Sequence, residues 1–193
     1  MGDIDPGRIR EALEAHKTLV AEFEQSSIGV VTAAAEAIVE TFRNGGTLYL
    51  CGNGGSAADA QHIAGEMVGR FRTERRALPA VALSTDTSVL TCVANDYSYE
   101  DVFARQVEAH VKPGDILWGL STSGASPNVV KAAEVAKRQG ARIIAFTGKR
   151  DSKLQRLADI CLCADAKVTA RSQEVHQLVY HLICDLVEQC FCK

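Results

Sequence analysis

The sequence lacks most features that would set it apart from ordinary globular proteins. It has 4 prolines and 1 tryptophan in 193 residues, and no apolar run reaches the roughly 18 residues of a membrane span. Its 21 Lys and Arg are balanced by 24 Asp and Glu, which disfavours a nucleic-acid partner. Residues 1–6 contain no basic or apolar signal segment. We therefore expect a cytoplasmic protein without a membrane partner.

The seven cysteines do not suggest a disulfide framework, because their number is odd and several lie inside apolar segments. Cys161 and Cys163 have C-x-C spacing, as do Cys190 and Cys192, and on a strand the first pair would share one face. A thiolate metal site is the alternative, although the pairs lack the usual C-x-x-C spacing. We interpret the cysteines as reduced thiols that pack as small hydrophobic side chains.

Short apolar runs alternate with helical patterns along the chain. Two amphipathic helices are predicted first, over 7–26 and 28–42, and a long final helix over 171–191. The predicted strands are 47–51, 80–83, 116–120, 142–146 and 160–163. This order predicts an α/β fold, a doubly wound five-stranded parallel sheet with helices on both faces. We expect a single domain over 1–193, with leading helices in 1–45 and the α/β core in 46–193.

A hydroxyl-rich loop follows the third predicted strand. Its polar and small residues are Ser121, Thr122, Ser123, Gly124 and Ser126. Ser126 fits the N-cap of the next helix and Pro127 its first position. Ligands bind at the carboxyl ends of strands in such sheets, and a helix N-terminus offers free N–H groups to an anion. An ordinary capped turn is the alternative, but the density of hydroxyls favours a phosphate site.

The first predicted strand is followed by a glycine-rich loop over 52–57, which matches the dinucleotide pattern G-x-G-x-x-A. That pattern also needs an acidic residue about 20 positions further on, at the end of the second strand. Glu74 lies in a polar run instead, and Asp86 lies too far along the chain. We therefore disfavour NAD and expect the loop to let the backbone approach a sugar closely.

Candidate acids, bases and ligands lie on two helices. His62 and Glu66 are four residues apart and share one helical face, while Gln173 and His181 lie on the final helix. A carboxylate base and an imidazole acid beside a phosphate site suit aldose–ketose isomerisation. The same four side chains suit zinc as nitrogen and oxygen ligands. Gln173 and His181 are about 12 Å apart along their helix, which is far for two ligands of one metal ion on a single chain. A site shared between subunits would bring suitable ligands closer together.

Taken together, these motifs resemble the phosphoheptose isomerases, which are sugar isomerase (SIS) domain proteins. The resemblance covers essentially the whole chain and rests on 51–62 with Glu66, 94–96, 121–126 and 172–176. It implies conversion of sedoheptulose 7-phosphate to D-glycero-D-manno-heptose 7-phosphate, with Glu66 as general base and His181 as general acid. It implies that substrate is bound by Asn53, Gly54, Gly55, Glu66, Asn95, Asp96, Ser121, Thr122, Ser123, Ser126 and Gln173. It implies one Zn²⁺ per subunit, held by His62, Glu66, Gln173 and His181.

The same resemblance implies a cytoplasmic homotetramer with sites at subunit interfaces. Its product would enter ADP-heptose synthesis for lipopolysaccharide or surface polysaccharide. One residue departs from the pattern, because Ala170 stands where some relatives have an aspartate three residues before the matching glutamine. We therefore expect the substrate-facing end of the last helix to bind less tightly or differently.

Two other functions compete with the enzyme. Related SIS proteins are non-catalytic regulators that bind the replication initiator, and they resemble this chain around His62 and Arg70. They lack the counterparts of Glu66 and His181, which are both present here. A sugar-phosphate-sensing transcription factor would need a helix-turn-helix domain, for which 193 residues leave no room beside the sheet. We therefore favour the isomerase.

Overall fold

The computed structural model describes residues 4–192. Residues 1–3 and Lys193 lie outside the described residues, and so does part of the segment 1–6 that was examined for a signal sequence. The helices are α1 Gly7–Ser26, α2 Ile28–Arg43, α3 Gly55–Val68, α4 Thr87–Asp96, α5 Ala104–His110, α6 Pro127–Arg138, α7 Lys153–Leu157 and α8 Thr169–Gln189, with a 3₁₀ turn at Tyr99–Asp101. The strands are β1 Leu48–Gly52, β2 Ala80–Ala82, β3 Ile116–Ser121, β4 Arg142–Thr147 and β5 Ile160–Cys163.

The five strands form one parallel sheet in the order β2-β1-β3-β4-β5, which confirms the predicted doubly wound fold. In the register, Leu50 of β1 lies opposite Ala82 of β2 and Trp118 of β3. The chain moves outward from β1 in one direction to β2 and in the other to β3. The strand order therefore reverses between β1 and β3, where sheets of this kind bind their ligands.

Helices cover both faces of the sheet. One hydrophobic cluster packs α2, α3 and α8 against the sheet through residues such as Ile38, Ile63 and Val179. The other packs α4 to α7 through residues such as Val107 and Leu154. The central strand β3 is buried along its whole length. This two-sided burial explains why β3 is a continuous apolar run rather than an alternating pattern.

The two leading helices differ in how far they enter the core. The middle of α2 is buried, with Ile38 fully enclosed. No residue of α1 is buried, and its Ile9 and Leu13 are 61% and 54% exposed. Thus α2 completes the core of the chain, while α1 lies on its surface against α8 and α2. Neither these nor the other described helices combine the length and apolarity needed to cross a bilayer.

The structure corrects the predicted helices in two places. The apolar pattern of residues 99–111 also predicts a single helix, but the structure has a 3₁₀ turn followed by α5 there. The short helix α7, at Lys153–Leu157, was not predicted because only its Leu154 is buried, and one buried residue leaves no readable periodicity. Ser152 caps α7, its hydroxyl accepting a hydrogen bond of 3.4 Å from the backbone N–H of Gln155.

A buried carboxylate ties the end of α8 to the segment that follows α3. Glu188 is 2% exposed and accepts hydrogen bonds of 2.7 Å from each backbone N–H of residues 71–73. Its carboxylate also lies 3.6 Å from Nε of Arg75. Arg75 in turn donates to the carbonyls of Glu66 and Gly69, at 2.7 and 2.9 Å. This network joins the C-terminal ends of the two helices.

We expect Glu188→Gln to lower the free energy of unfolding by about 3 kcal/mol at neutral pH, because it leaves Arg75 without its buried partner. Burial alone would raise the pKa of Glu188, but the backbone N–H donors and the charge of Arg75 lower it below its ordinary value. The carboxylate therefore stabilises the fold above the ordinary glutamate pKa, and this contribution is lost as the pH falls through the lowered pKa. Urea unfolding at several pH values and one protein concentration measures it.

The matched control is Glu40→Gln, which removes the same charge from an exposed pair with Arg142 at 3.1 Å. This control should change stability by less than about 1 kcal/mol. Equal losses in the two variants, or a Glu188→Gln loss that persists unchanged in acid, would show that the buried carboxylate does not stabilise the chain in this way.

Candidate active site

The two loops singled out in the sequence lie side by side. Gly52, the last residue of β1, pairs with Leu120 near the end of β3. The glycine-rich loop and the hydroxyl-rich loop therefore leave the same edge of the sheet, at the point where the strand order reverses.

Three of the four hydroxyls in the loop after β3 meet. The Ser121 Oγ lies 3.2 Å from Ser123 Oγ and 2.9 Å from Ser126 Oγ. Thr122 is tied through its carbonyl, which accepts a hydrogen bond of 3.0 Å from the Gly148 N–H. Within residues 4–192 the backbone N–H groups of Ser123 and Ser126 donate no hydrogen bond. The loop thus offers clustered hydroxyls and spare N–H donors, which suit an anion.

Ser126 does not cap α6 in the way that the sequence suggests. It is the N-cap residue and Pro127 takes the first helical position, as predicted. Its hydroxyl, however, makes no hydrogen bond to the helix and bonds Ser121 instead. The positive end of α6 is therefore directed at the loop without a side-chain cap.

Gly124 holds this loop against α7. Its φ of +61° lies in the left-handed region that favours glycine. A Cβ at this position would lie 2.2 Å from the Ser152 hydroxyl. Its carbonyl accepts a hydrogen bond of 2.9 Å from the Leu154 N–H. The short helix missing from the sequence prediction thus supports the back of the hydroxyl loop.

Asn53, the first side chain after β1, is held by long-range hydrogen bonds. It exchanges two of them with Asn128 on α6, at 2.9 and 2.8 Å. The hydroxyl of Tyr99 donates to Asn53 Oδ1 at 3.1 Å, the oxygen that also accepts from the Asn128 amide. This arrangement fixes the glycine loop relative to the start of α6.

Gln173 of α8 lies against the first turn of α3. A Cβ on Gly55 would fall 2.1 Å from Gln173 Nε2, so a larger residue there would displace the Gln173 amide. The Gln173 amide donates to Asp59 Oδ2 at 3.1 Å. Asp59 is 8% exposed, and burial raises its pKa against the opposing effects of the Gln173 hydrogen bond and the nearby His62.

Further along the same two helices, His62, Glu66 and His181 form a cluster. The His62 Nε2 lies 3.0 Å from Glu66 Oε1 and 3.4 Å from His181 Nε2. One nitrogen or oxygen atom of each side chain lies within 4.8 Å of those of the others, close enough to share a metal ion. Burial and the neighbouring His62 lower the pKa of His181, with Glu66 and Asp59 opposing. This favours the neutral imidazole that binds metals.

Known proteins are similar to this chain in sequence. The SIS domain family model matches residues 13–148. The phosphoheptose isomerase of Roseiflexus sp. is 56% identical over 160 residues, 83% of this chain and 81% of that protein. That of Trichlorobacter lovleyi is 50% identical over 94% and 92% of the two chains. The chain belongs to the phosphoheptose isomerase family.

A solved structure agrees with this assignment. The phosphoheptose isomerase of Neisseria gonorrhoeae superposes with a TM-score of 0.89 at 39% identity, covering 95% of this chain and 98% of that one. The family resemblance and the α/β fold stated from sequence are therefore confirmed, and the chain is a sugar-phosphate isomerase.

The remaining residues that the family implies are less closely grouped. Asn95 and Asp96 lie exposed in the last turn of α4, where the Asn95 amide donates to the Asp96 carboxylate at 2.8 Å. Within residues 4–192 neither side chain forms a hydrogen bond with an implied site residue outside this pair. Of the four implied zinc ligands, three meet on one chain, while Gln173 bonds Asp59 one helical turn before His62.

The sequence interpretation missed three side chains of this region. Asp59 is a second carboxylate on α3, and its place three residues before His62 is a signal that could have been used. Tyr180 contacts His62, with its hydroxyl 3.0 Å from Nδ1. Asn128, the partner of Asn53, left no signal because the two are 75 residues apart in sequence.

His176 and the cysteines serve the core. His176 is fully buried, with Nε2 3.0 Å from the Thr147 carbonyl, and burial lowers its pKa to about 4. All seven cysteines are free thiols. Burial raises the pKa of Cys51 to about 12 and that of Cys161 to about 11, so neither favours a thiolate. In the described part of the chain, the cysteines belong to no cluster of three side chains suited to a metal.

Proposed function

We propose that this chain converts sedoheptulose 7-phosphate to D-glycero-D-manno-heptose 7-phosphate, the first step of ADP-heptose synthesis. The observation that carries the proposal is the meeting of Glu66 with His62 and His181 in a chain that also has a hydroxyl-lined anion loop. The names of the family's members give the substrate class.

The phosphate is proposed to bind the loop after β3. Ser121, Ser123 and Ser126 would supply hydroxyls, the spare N–H groups would supply donors, and the end of α6 would add a positive dipole. The other proposed substrate contacts are Asn53, Gly54, Gly55, Glu66, Asn95, Asp96, Thr122 and Gln173. Neutral donors of this kind orient a phosphate without a lysine.

The chemistry is a proton transfer between neighbouring carbons. Glu66 removes a proton from C1 of the ketose while His181 gives a proton to the C2 oxygen, which yields an enediol. His181 then takes the O1 proton while Glu66 returns its proton to C2, which completes the aldose. No atoms are gained or lost, and each group ends as it began.

The site also fits a zinc ion. We propose that His62, Glu66 and His181, with Gln173, hold it, because their nitrogen and oxygen atoms are of the type that zinc binds. Bound Zn²⁺ would act as a Lewis acid toward the carbonyl and enediolate oxygens. Elemental analysis of protein purified without chelator tests this directly, since full turnover without bound metal would end the claim.

We propose a cytoplasmic homotetramer with sites at subunit interfaces. Glu66 lies three turns beyond Gly55 on α3, about 16 Å along the helix axis, which separates it from the sheet edge that carries the phosphate loop. Loops and bases from different subunits would close that gap. Leu178, Leu182 and Leu186 form an exposed stripe on α8 that suits such contacts. The free thiols suit the reducing cytoplasm.

The purified chain, incubated with sedoheptulose 7-phosphate, should form the aldose, which NMR spectroscopy of the product identifies. Fructose 6-phosphate, a shorter ketose phosphate, serves as the control substrate and should react more slowly. An absence of turnover with bound zinc present would favour the non-catalytic regulator of the replication initiator instead.

A further inference from the structure

Tyr180 is a buried side chain in contact with the His62 cluster, and the mechanism above gives it no role. It is 0% exposed, and its ring packs edge-on against the His62 ring with centroids 5.4 Å apart. Its hydroxyl lies 3.0 Å from His62 Nδ1. A buried phenol hydroxyl needs a polar partner, and here that partner is a proposed metal ligand.

The direction of this hydrogen bond follows from the geometry of the His62 ring. The Nε2 atom faces Glu66 and His181, so in a metal-bound His62 it is Nε2 that keeps its lone pair. The ring proton then lies on Nδ1, and His62 donates it to the hydroxyl oxygen of Tyr180.

The opposite ring nitrogen of His62 is thereby directed at the cluster. Its Nε2 lies 3.0 Å from Glu66 Oε1 and 3.4 Å from His181 Nε2. With Nδ1 carrying the proton, Nε2 keeps its lone pair available. Metal-binding histidines use this arrangement, in which the second ring nitrogen donates to a fixed acceptor.

We propose that Tyr180 is a positioning residue that holds His62 with Nδ1 as donor and Nε2 free to bind the metal. The inference rests on the proposed zinc site. In this proposal the Tyr180 hydroxyl orients the His62 ring, so a variant that lacks only that oxygen atom tests it.

The experiment measures zinc affinity of the full-length chain by competition with a chromogenic chelator. Tyr180→Phe should weaken zinc binding by about 10- to 100-fold relative to the unmodified chain. The matched control is Tyr49→Phe, which removes a hydroxyl bonded to the His110 carbonyl at 3.2 Å. This control should bind zinc as the unmodified chain does.

A second measurement reads the imidazole itself. In the zinc-loaded, ¹⁵N-histidine-labelled chain, His62 should show an Nδ1–H resonance protected from solvent exchange, and Tyr180→Phe should lose that protection. Equal zinc affinity with the protected resonance retained would overturn the inference and leave the zinc site standing. Absence of zinc binding by the unmodified chain would overturn the zinc site and the inference with it.

Thermal unfolding of the variants checks that they are folded. If Tyr180→Phe does not fold, the spectrum of the unmodified zinc-loaded chain decides the question alone. A His62 that carries its proton on Nε2 would overturn the inference, and one that carries it on a protected Nδ1 would support it.

Discussion

Glu66→Gln is expected to lower kcat for isomerisation by about 10²- to 10⁴-fold, the usual contribution of a positioned general base. The amide has nearly the size of the carboxylate but cannot take a proton from carbon. The side chain lies at the edge of the cluster, 21% exposed and 3.0 Å from His62, so we expect the fold and the KM to change little. Steady-state kinetics with sedoheptulose 7-phosphate and a thermal unfolding curve measure the three quantities.

The control for this change is Glu134→Gln, which makes the same substitution at an exposed position of α6. It should leave kcat unchanged. A Glu66→Gln variant that keeps most of its kcat would remove Glu66 as the base. Asp59, the other carboxylate of α3, would be a poor substitute because it is buried and already bonded to Gln173.

Gly124→Ala is expected to lower kcat/KM by roughly 100-fold, mainly through a higher KM. A Cβ here would lie 2.2 Å from the Ser152 hydroxyl and 2.3 Å from the Ser152 Cβ, so the loop has to move away from α7. The left-handed backbone adds strain of about 1 kcal/mol for alanine. Losing two phosphate hydrogen bonds costs about 2–3 kcal/mol, and each 1.4 kcal/mol is tenfold in binding.

Gly45→Ala provides the control for this prediction. Gly45 has a φ of +81° and its Cβ would meet nothing within 4 Å, so alanine adds backbone strain without a clash. For each variant, the KM for sedoheptulose 7-phosphate and the inhibition constant of inorganic phosphate should be measured. If Gly124→Ala behaves like Gly45→Ala, the loop after β3 does not hold the phosphate.

Much of the fold could be predicted because its signals are local. The helix α1 covers the predicted residues 7–26, and β5 covers the predicted residues 160–163. The anion loop was also visible, since hydroxyls, a glycine and a proline follow one another within seven residues. The helix α7 was not visible, because one buried leucine is too few to form a pattern.

The amino-acid sequence by itself determined the parallel sheet, the two loops at its edge and the helix face shared by His62 and Glu66, because each depends on residues near one another in the chain. Tertiary structure alone decided that Ser126 bonds Ser121 rather than capping its helix, and that Tyr180 meets His62. It also decided that His181, 119 residues from His62, completes the cluster on the same chain. Such pairings depend on how α8 packs along α3, and that packing is set by the whole core.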